Sequence, residues 1–186
     1  MKRRKPTVIT IASVLGGGKT TVTQQLRKAL PRSSAIFFDD YDLDGPSDMV
    51  DWLERGADYQ EWDVMNLVED VENQRTQKLD YVLLDFPFSY IHQQMREYID
   101  YSVFIDTPLD LALARRIIRD YADDSTEEIV RRMAFYCSSS RAAYLEMLHT
   151  IKPSADVVID GNQPVYAIVD TIVDSIMVHA SHKENP

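Results

Sequence analysis

A β-rich run, Thr7 to Ile11, leads to three consecutive glycines, Gly16, Gly17 and Gly18. Lys19-Thr20-Thr21 comes next, and then Val22, Leu26 and Ala29 at helical spacing. Strand, glycine loop and helix in that order make a phosphate-binding loop. The glycines let successive backbone N–H groups turn toward oxygen atoms, and the helix points its positive end the same way. The Lys19 ammonium reaches the outer phosphates, and the Thr20 hydroxyl is placed to ligate Mg²⁺. The full pattern has another glycine five residues before Gly18, where this chain has Ser13. A serine takes that turn if its φ is negative.

Beyond the loop, strands and helices keep alternating. Strand-like runs at Thr7 to Ala12, Ser34 to Phe38, Tyr81 to Leu84, Ser102 to Ile105 and Asp156 to Ile159 are separated by helical patterns. The helices are expected over Thr20 to Leu30, Val64 to Gln77, Leu109 to Asp120 and Thr126 to Leu148. Ser125 and Glu128 have the spacing of a capping box, and Thr107-Pro108 is expected to cap the helix before. Short apolar strands with helices between them predict an α/β fold of three layers, α/β/α, around a mostly parallel five-stranded sheet. A chain of 186 residues suits one domain, residues 1–186, with an acceptor loop at about 40–62 and a small helical lid at about 115–132.

Ligands of such sheets bind at the carboxyl ends of the strands, so the residues there carry the chemistry. After the second strand come Asp39, Asp40, Asp42 and Asp44, of which Asp39, still held by the strand end, is placed to accept a proton from an acceptor hydroxyl. Asp85 ends the third strand and faces the phosphate loop, where it can hold Mg²⁺. Phe86, Pro87, Phe88 and Tyr90 come after it as an aromatic wall or as ordinary core. Arg115, Arg116 and Arg119 cluster on the helix after the fourth strand, and Arg131-Arg132 return on the next. Guanidinium groups on a closing element neutralise a transferring phosphoryl group, while surface salt bridges to the many acids are the other use for them. The segment Asp120 to Thr126 between the two helices reads as a hinge or lid tip. Trp52 and Trp62 flank a segment that folds over the acceptor side, where rings stack a planar base or pack locally.

Composition excludes several alternatives. With 20 basic against 30 acidic residues and a net charge of −10, the chain is unsuited to gripping a nucleic-acid polymer. The basic start, Lys2 to Lys5, precedes too short an apolar run for a membrane span or targeting segment, and reads as a solvated entry to the first strand. A lone Cys137 rules out an internal disulfide and a cysteine metal cluster, as suits the reducing cytoplasm. The four histidines, His92, His149, His179 and His182, lack metal-ligand spacing, and the last two sit near a polar tail.

These residues together resemble the uridine kinase and nicotinamide riboside kinase group of P-loop nucleoside kinases, over nearly the whole chain. Gly16-Gly17-Gly18-Lys19-Thr20-Thr21 matches the phosphate loop of that group, and Asp39 its aspartate after the second strand. Asp44-Gly45-Pro46 and Trp62-Asp63-Val64 echo its acceptor segment, Arg115 to Asp120 resembles its lid helix, and Lys152 to Asp156 the stretch before its last strand. Three features depart from it: Ser13, the pair Phe86-Pro87 after Asp85, and the lack of a further arginine and glycine after Asp120.

The resemblance implies ATP and Mg²⁺, with transfer to the primary hydroxyl of a small metabolite. A ribonucleoside stands first, with nicotinamide riboside or another small metabolite as the alternative. It implies Asp39, Lys19 and Arg119 in catalysis, Gly16 to Thr21 with Arg115 and Arg116 on the nucleotide, and Thr20 and Asp85 on the metal. A regulatory ATPase with no small acceptor is the reading of a different class. Nucleotide and small-molecule acceptor are the expected partners, and a homodimer is the one assembly suggested.

Overall fold

The computed structural model describes residues 5–184, with side chains described to residue 181. Most of the basic start, residues 2–4, and the side chain of His182 lie outside the described residues. Five strands form one sheet in the order β2-β3-β1-β4-β5, every neighbouring pair parallel. They are β1 (Thr7–Ala12), β2 (Ser33–Phe37), β3 (Tyr81–Asp85), β4 (Tyr101–Asp106) and β5 (Val157–Asp160). Each expected strand is present, β1 with the expected ends and the others with ends shifted by at most one residue.

The sheet is buried on both faces, and its alternation sorts the core in two. Val8, Ala12, Val82, Leu84 and Phe104 face one side. There they meet Trp52 of α2 (Met49–Glu54), Leu67, Val68 and Val71 of α3 (Met65–Arg75), and Met95 of α4 (Gln93–Arg96). Ile9, Ile11, Leu83, Val103 and Ile105 face the other, against Val22 and Leu26 of α1 (Lys19–Ala29). The period-2 split of each strand between two apolar clusters is why these runs read as almost uniformly hydrophobic.

Half of the second cover comes from a helix that the sequence pattern did not predict. The segment after β5, for which no helix is expected, forms a twenty-residue helix, α8 (Val165–Glu184). Ile168, Val169, Ile172 and Ile176 recur along it every three or four positions and pack on the sheet beside α1. Exposed Tyr166, Met177 and Val178 on its outer side blur that stripe and hide it from a composition count.

Two further expectations change. The long helix from Thr126 is α6 (Thr126–Phe135) and α7 (Arg141–Thr150), joined without a break by a π-helical turn over Tyr136–Ser140. Ser125 caps α6 as expected, its hydroxyl accepting from the Glu128 N–H. Before α5 (Leu109–Asp120), however, the cap residue is Pro108, with no side-chain cap bond. Thr107 instead turns its buried hydroxyl to the phosphate loop.

Candidate active site

Parallel register brings the sequence-distant acids together. Asp85 of β3 lies level with Ile11 of β1 and Phe37 of β2, so it stands between the start of the loop after β1 and the turn that carries Asp39 after β2.

The loop is shaped by close approaches as much as by glycine's freedom. Ser13 is fully buried without a positive φ, and a Cβ on Gly17 would come within 2.7 Å of its hydroxyl oxygen. The missing motif glycine is thus accommodated by a glycine four residues on. A Cβ on Gly16 would stand 2.2 Å from the Ala112 carbonyl oxygen, so α5, which carries the start of the expected lid, packs directly on the loop. Gly18, at φ +101°, starts α1 from the left-handed region that glycine enters without strain. Thr107 donates to the Gly17 carbonyl at 2.8 Å and pins the loop to the end of β4. Its neighbour Gly161 is just as constrained, since any Cβ there would strike the same hydroxyl.

Three charged groups and a hydroxyl converge at the loop. Lys19 is 7% exposed, and its Nζ lies 3.0 Å from Asp85 Oδ1 and 3.4 Å from Asp39 Oδ2. Thr20 donates to Asp85 Oδ2 at 2.6 Å. Asp85 is 1% exposed, and burial pushes its carboxyl above the ordinary value, against the opposing pull of Lys19 and of the Thr20 hydroxyl. Its Oδ1 is ion-paired with the Lys19 ammonium. A carboxylate beside a threonine hydroxyl is an oxygen donor set of the kind a hard divalent cation takes. Thr21, placed with the nucleotide by resemblance, is exposed on α1 beside a groove shared with Val165 and Tyr166.

The acidic cluster does not act as a unit. Asp39, Asp40, Asp42 and Asp44 are all exposed, and of them Asp39 lines the cavity next to Lys19. The others stay in solvent, which is the cheapest place for like charges.

Beside the loop opens a cavity of about 230 Å³. Phe38, Trp52, Tyr59, Trp62 and Phe88 form most of its wall, with Met49 and Met147, and Lys19 and Asp39 stand at the end nearest the phosphate loop. The rings pack edge to face: Phe38 lies 6.0 Å from Trp62 and 5.4 Å from Phe88, and Trp52 5.2 Å from Tyr59. Gly45 lies under the Trp62 ring, where a Cβ would come within 2.5 Å. The hydroxyl of Tyr59 and the indole N–H of Trp62 are buried without a partner. Burial and the nearby Glu146 raise the Tyr59 phenol well above its ordinary value. His92, 1% exposed, stacks on Phe88 and bonds the Trp62 carbonyl through Nε2 at 3.0 Å; burial holds its pKa below the usual histidine value. The expected aromatic wall after Asp85 therefore divides. Pro87 and Phe88 line the cavity, Phe86 is fully buried core, and Tyr90 bonds Asp156 elsewhere. Phe38, Tyr59, Ala143, Tyr144 and Met147 were not singled out from the sequence, and the spacing of the last three on one face of α7 was the signal available.

The lid arginines separate by partner. Arg119 grips Asp120 with two bonds, 2.6 and 2.9 Å, in the field of Asp39. Arg131 pairs with Glu128, and Arg132 with Asp124 and Glu128. Arg115 donates instead to the Gly161 carbonyl, and Arg116 to the Tyr144 hydroxyl. The expected hinge is anchored: Tyr121, 7% exposed, lies between the Arg116 and Arg132 guanidinium groups. Asp106 pairs with Lys152 at 2.5 Å.

A parallel 2-3-1-4-5 sheet, a glycine loop entering a helix at a buried lysine, and a carboxylate on the neighbouring strand define a P-loop kinase fold. A gluconokinase from Sinorhizobium meliloti shares that fold at a TM-score of 0.59 and 16% identity, over 99% of this chain and all of that one. Within the class, the chain is similar to uridine kinases. Residues 77–167 match the model of the phosphoribulokinase / uridine kinase family, a stretch that holds Asp85 and the lid but not the phosphate loop. A uridine kinase of Borrelia hermsii is 24% identical over 178 residues, 82% of this chain and 85% of that protein. A uridine kinase of Psychromonas ingrahamii is 39% identical over 66 residues, 35% of this chain and 30% of that protein.

Proposed function

We propose that the protein transfers the γ-phosphoryl group of ATP to the primary hydroxyl of a ribonucleoside. The observation that carries this reading is the meeting of Lys19, Asp85 and Asp39 at the mouth of an aromatic cavity. The acceptor oxygen bonds to the γ-phosphorus as the bond to the bridging oxygen breaks and ADP leaves, and Asp39 takes the hydroxyl proton. Lys19 neutralises charge on the moving group, Arg115, Arg116 and Arg119 bring further positive charge from the lid, and the loop N–H groups hold the β-phosphate. Thr20 and Asp85 are the residues that would hold Mg²⁺, which when bound offsets the charge of the phosphate oxygens.

The acceptor is read from the cavity wall. Besides Lys19 and Asp39, the residues lining it carry no formal charge, so an acidic sugar has no cation reserved for its carboxylate there. Flat rings favour a flat ring, so a base seated among Phe38, Trp62 and Phe88 presents its ribose toward Asp39. Uridine and cytidine stand first and nicotinamide riboside is the alternative.

The reading is of a cytoplasmic protein, which an exposed free Cys137 suits. Among the described residues no helix is long and apolar enough to cross a membrane. Homodimerisation is checked by sedimentation at two concentrations.

The test is a panel of nucleosides, nicotinamide riboside, pantothenate and simple sugars with ATP and Mg²⁺, following phosphorylated product by mass. A phosphorylated nucleoside is expected, and Asp39→Asn abolishes it while ATP still binds. ADP released at one rate with every candidate and with none would replace this reading with that of an ATPase lacking a small acceptor.

A further inference from the structure

Arg116 stands at a junction that no other lid arginine reaches. Its Cβ lies 3.4 Å from where a side chain on Gly16 would begin, so it rises directly beside the phosphate loop. Its Nη1 donates to the Tyr144 hydroxyl at 2.9 Å, its ring-stacking partner is Tyr121 at the lid turn, and Asp120 approaches its Nε only to 3.7 Å. That Nε is buried without a hydrogen bond. Arg119, Arg131 and Arg132 are held by carboxylates at hydrogen-bond range, whereas Arg116 makes its hydrogen bond to a neutral oxygen and meets Asp120, already gripped by Arg119, only at ion-pair distance.

The partner that holds it belongs to the other half of the site. Tyr144 lines the aromatic cavity together with Ala143 and Met147 of α7. It also packs on Tyr136 of the π-helical turn, with ring centroids 5.8 Å apart. Because α6, that turn and α7 run on as one helical arm from Thr126 to Thr150, one end of the arm is the lid and the other is the cavity wall. A π-helical turn is a local change of helical register and is frequent where a helix serves a site.

We propose that Tyr144 is a positioning residue whose hydroxyl holds the Arg116 guanidinium between the cavity wall and the phosphate loop, so that an acceptor seated on α7 sets where this charge stands during transfer. The inference rests on the kinase reading above. It predicts that removing one oxygen atom from the cavity wall loosens the coupling of ATP consumption to product.

The experiment compares wild type, Tyr144→Phe, Arg116→Lys and the double variant, with ATP, Mg²⁺ and uridine, measuring phosphorylated product and ADP in the same samples. Tyr144→Phe is expected to lower kcat about tenfold while KM for ATP changes by less than about twofold. Product formed per ADP released falls with it, and that ratio does not depend on how much of the variant is folded. The double variant is expected to match Arg116→Lys to within about twofold, because the second change removes nothing the first has left in place. Wild-type kcat and product ratio in Tyr144→Phe, or losses that multiply in the double variant, would overturn the proposal. A wild type that phosphorylates no member of the acceptor panel fails earlier and differently: it removes the kinase reading, and this inference with it.

Discussion

The phosphate side of the site draws on one short run, Ser13 to Thr20, and two strand ends, whereas the acceptor side is assembled from rings at Phe38, Trp52, Tyr59, Trp62 and Phe88 and from one face of α7. The first is a matter of backbone direction and buried charge. The second is a matter of which apolar surfaces meet. Phosphate has the same shape in every nucleotide, so a local motif recognises it; an acceptor is recognised by surfaces that exist only once distant segments have packed.

Breaking the phosphate side should do the most damage. Lys19→Ala is expected to lower turnover by about 10³-fold, since it removes a preorganised charge at the transferring group. It also leaves Asp85 as an uncompensated buried charge, costing on the order of 3 kcal/mol of stability. Lys19 at 7% exposure is thus part of the fold as well as of the chemistry. The double variant Lys19→Ala/Asp85→Asn should recover the melting temperature and none of the activity, and a double variant no more stable than the single would deny that the two charges are coupled.

Next in size is Gly16→Ala. The new methyl would stand 2.2 Å from the Ala112 carbonyl, so α5 must move off the loop. A misplacement of about 1 Å in such a site costs about 100-fold in rate, read as kcat with far-ultraviolet circular dichroism unchanged.

The acceptor side should answer differently. Trp62→Ala removes a cavity wall without touching the phosphate loop, and is expected to raise KM for the acceptor about tenfold, the size of a lost base stack, with KM for ATP unchanged. Equal effects on both substrates would mean that the ring is a scaffold for the whole site.

The smallest effect is on pH dependence. Burial lowers the His92 pKa from its ordinary 6.5, so the unfolded chain binds this proton more readily than the folded one. Stability is therefore full above pH 6.5 and falls as the pH drops below it, through the folded-state value. Because His92 bonds Trp62 and stacks on Phe88, acceptor KM should rise over the same window, and His92→Gln should flatten both curves.

The parallel sheet, the phosphate loop, Asp39 and Asp85 were legible in the sequence because each depends on neighbours along the chain: strand, turn, helix start and the residue that ends a strand. Even Ser13 could be read as tolerable, since only its own φ was at issue. What the sequence could not show was partner choice. Thr107 reads as a helix cap until β4 brings it to the Gly17 carbonyl. The arginines read alike until α5 packs on Gly16 and separates Arg116, held by Tyr144, from Arg119, held by Asp120. The four clustered aspartates read as one group until the turn after β2 aims Asp39 at Lys19 and leaves the rest to water. Local backbone preference and hydrophobic period act over a few residues and are written in order along the chain. The partner of a buried hydroxyl, ring or guanidinium is fixed by contacts between segments far apart in sequence, and only the folded packing decides them.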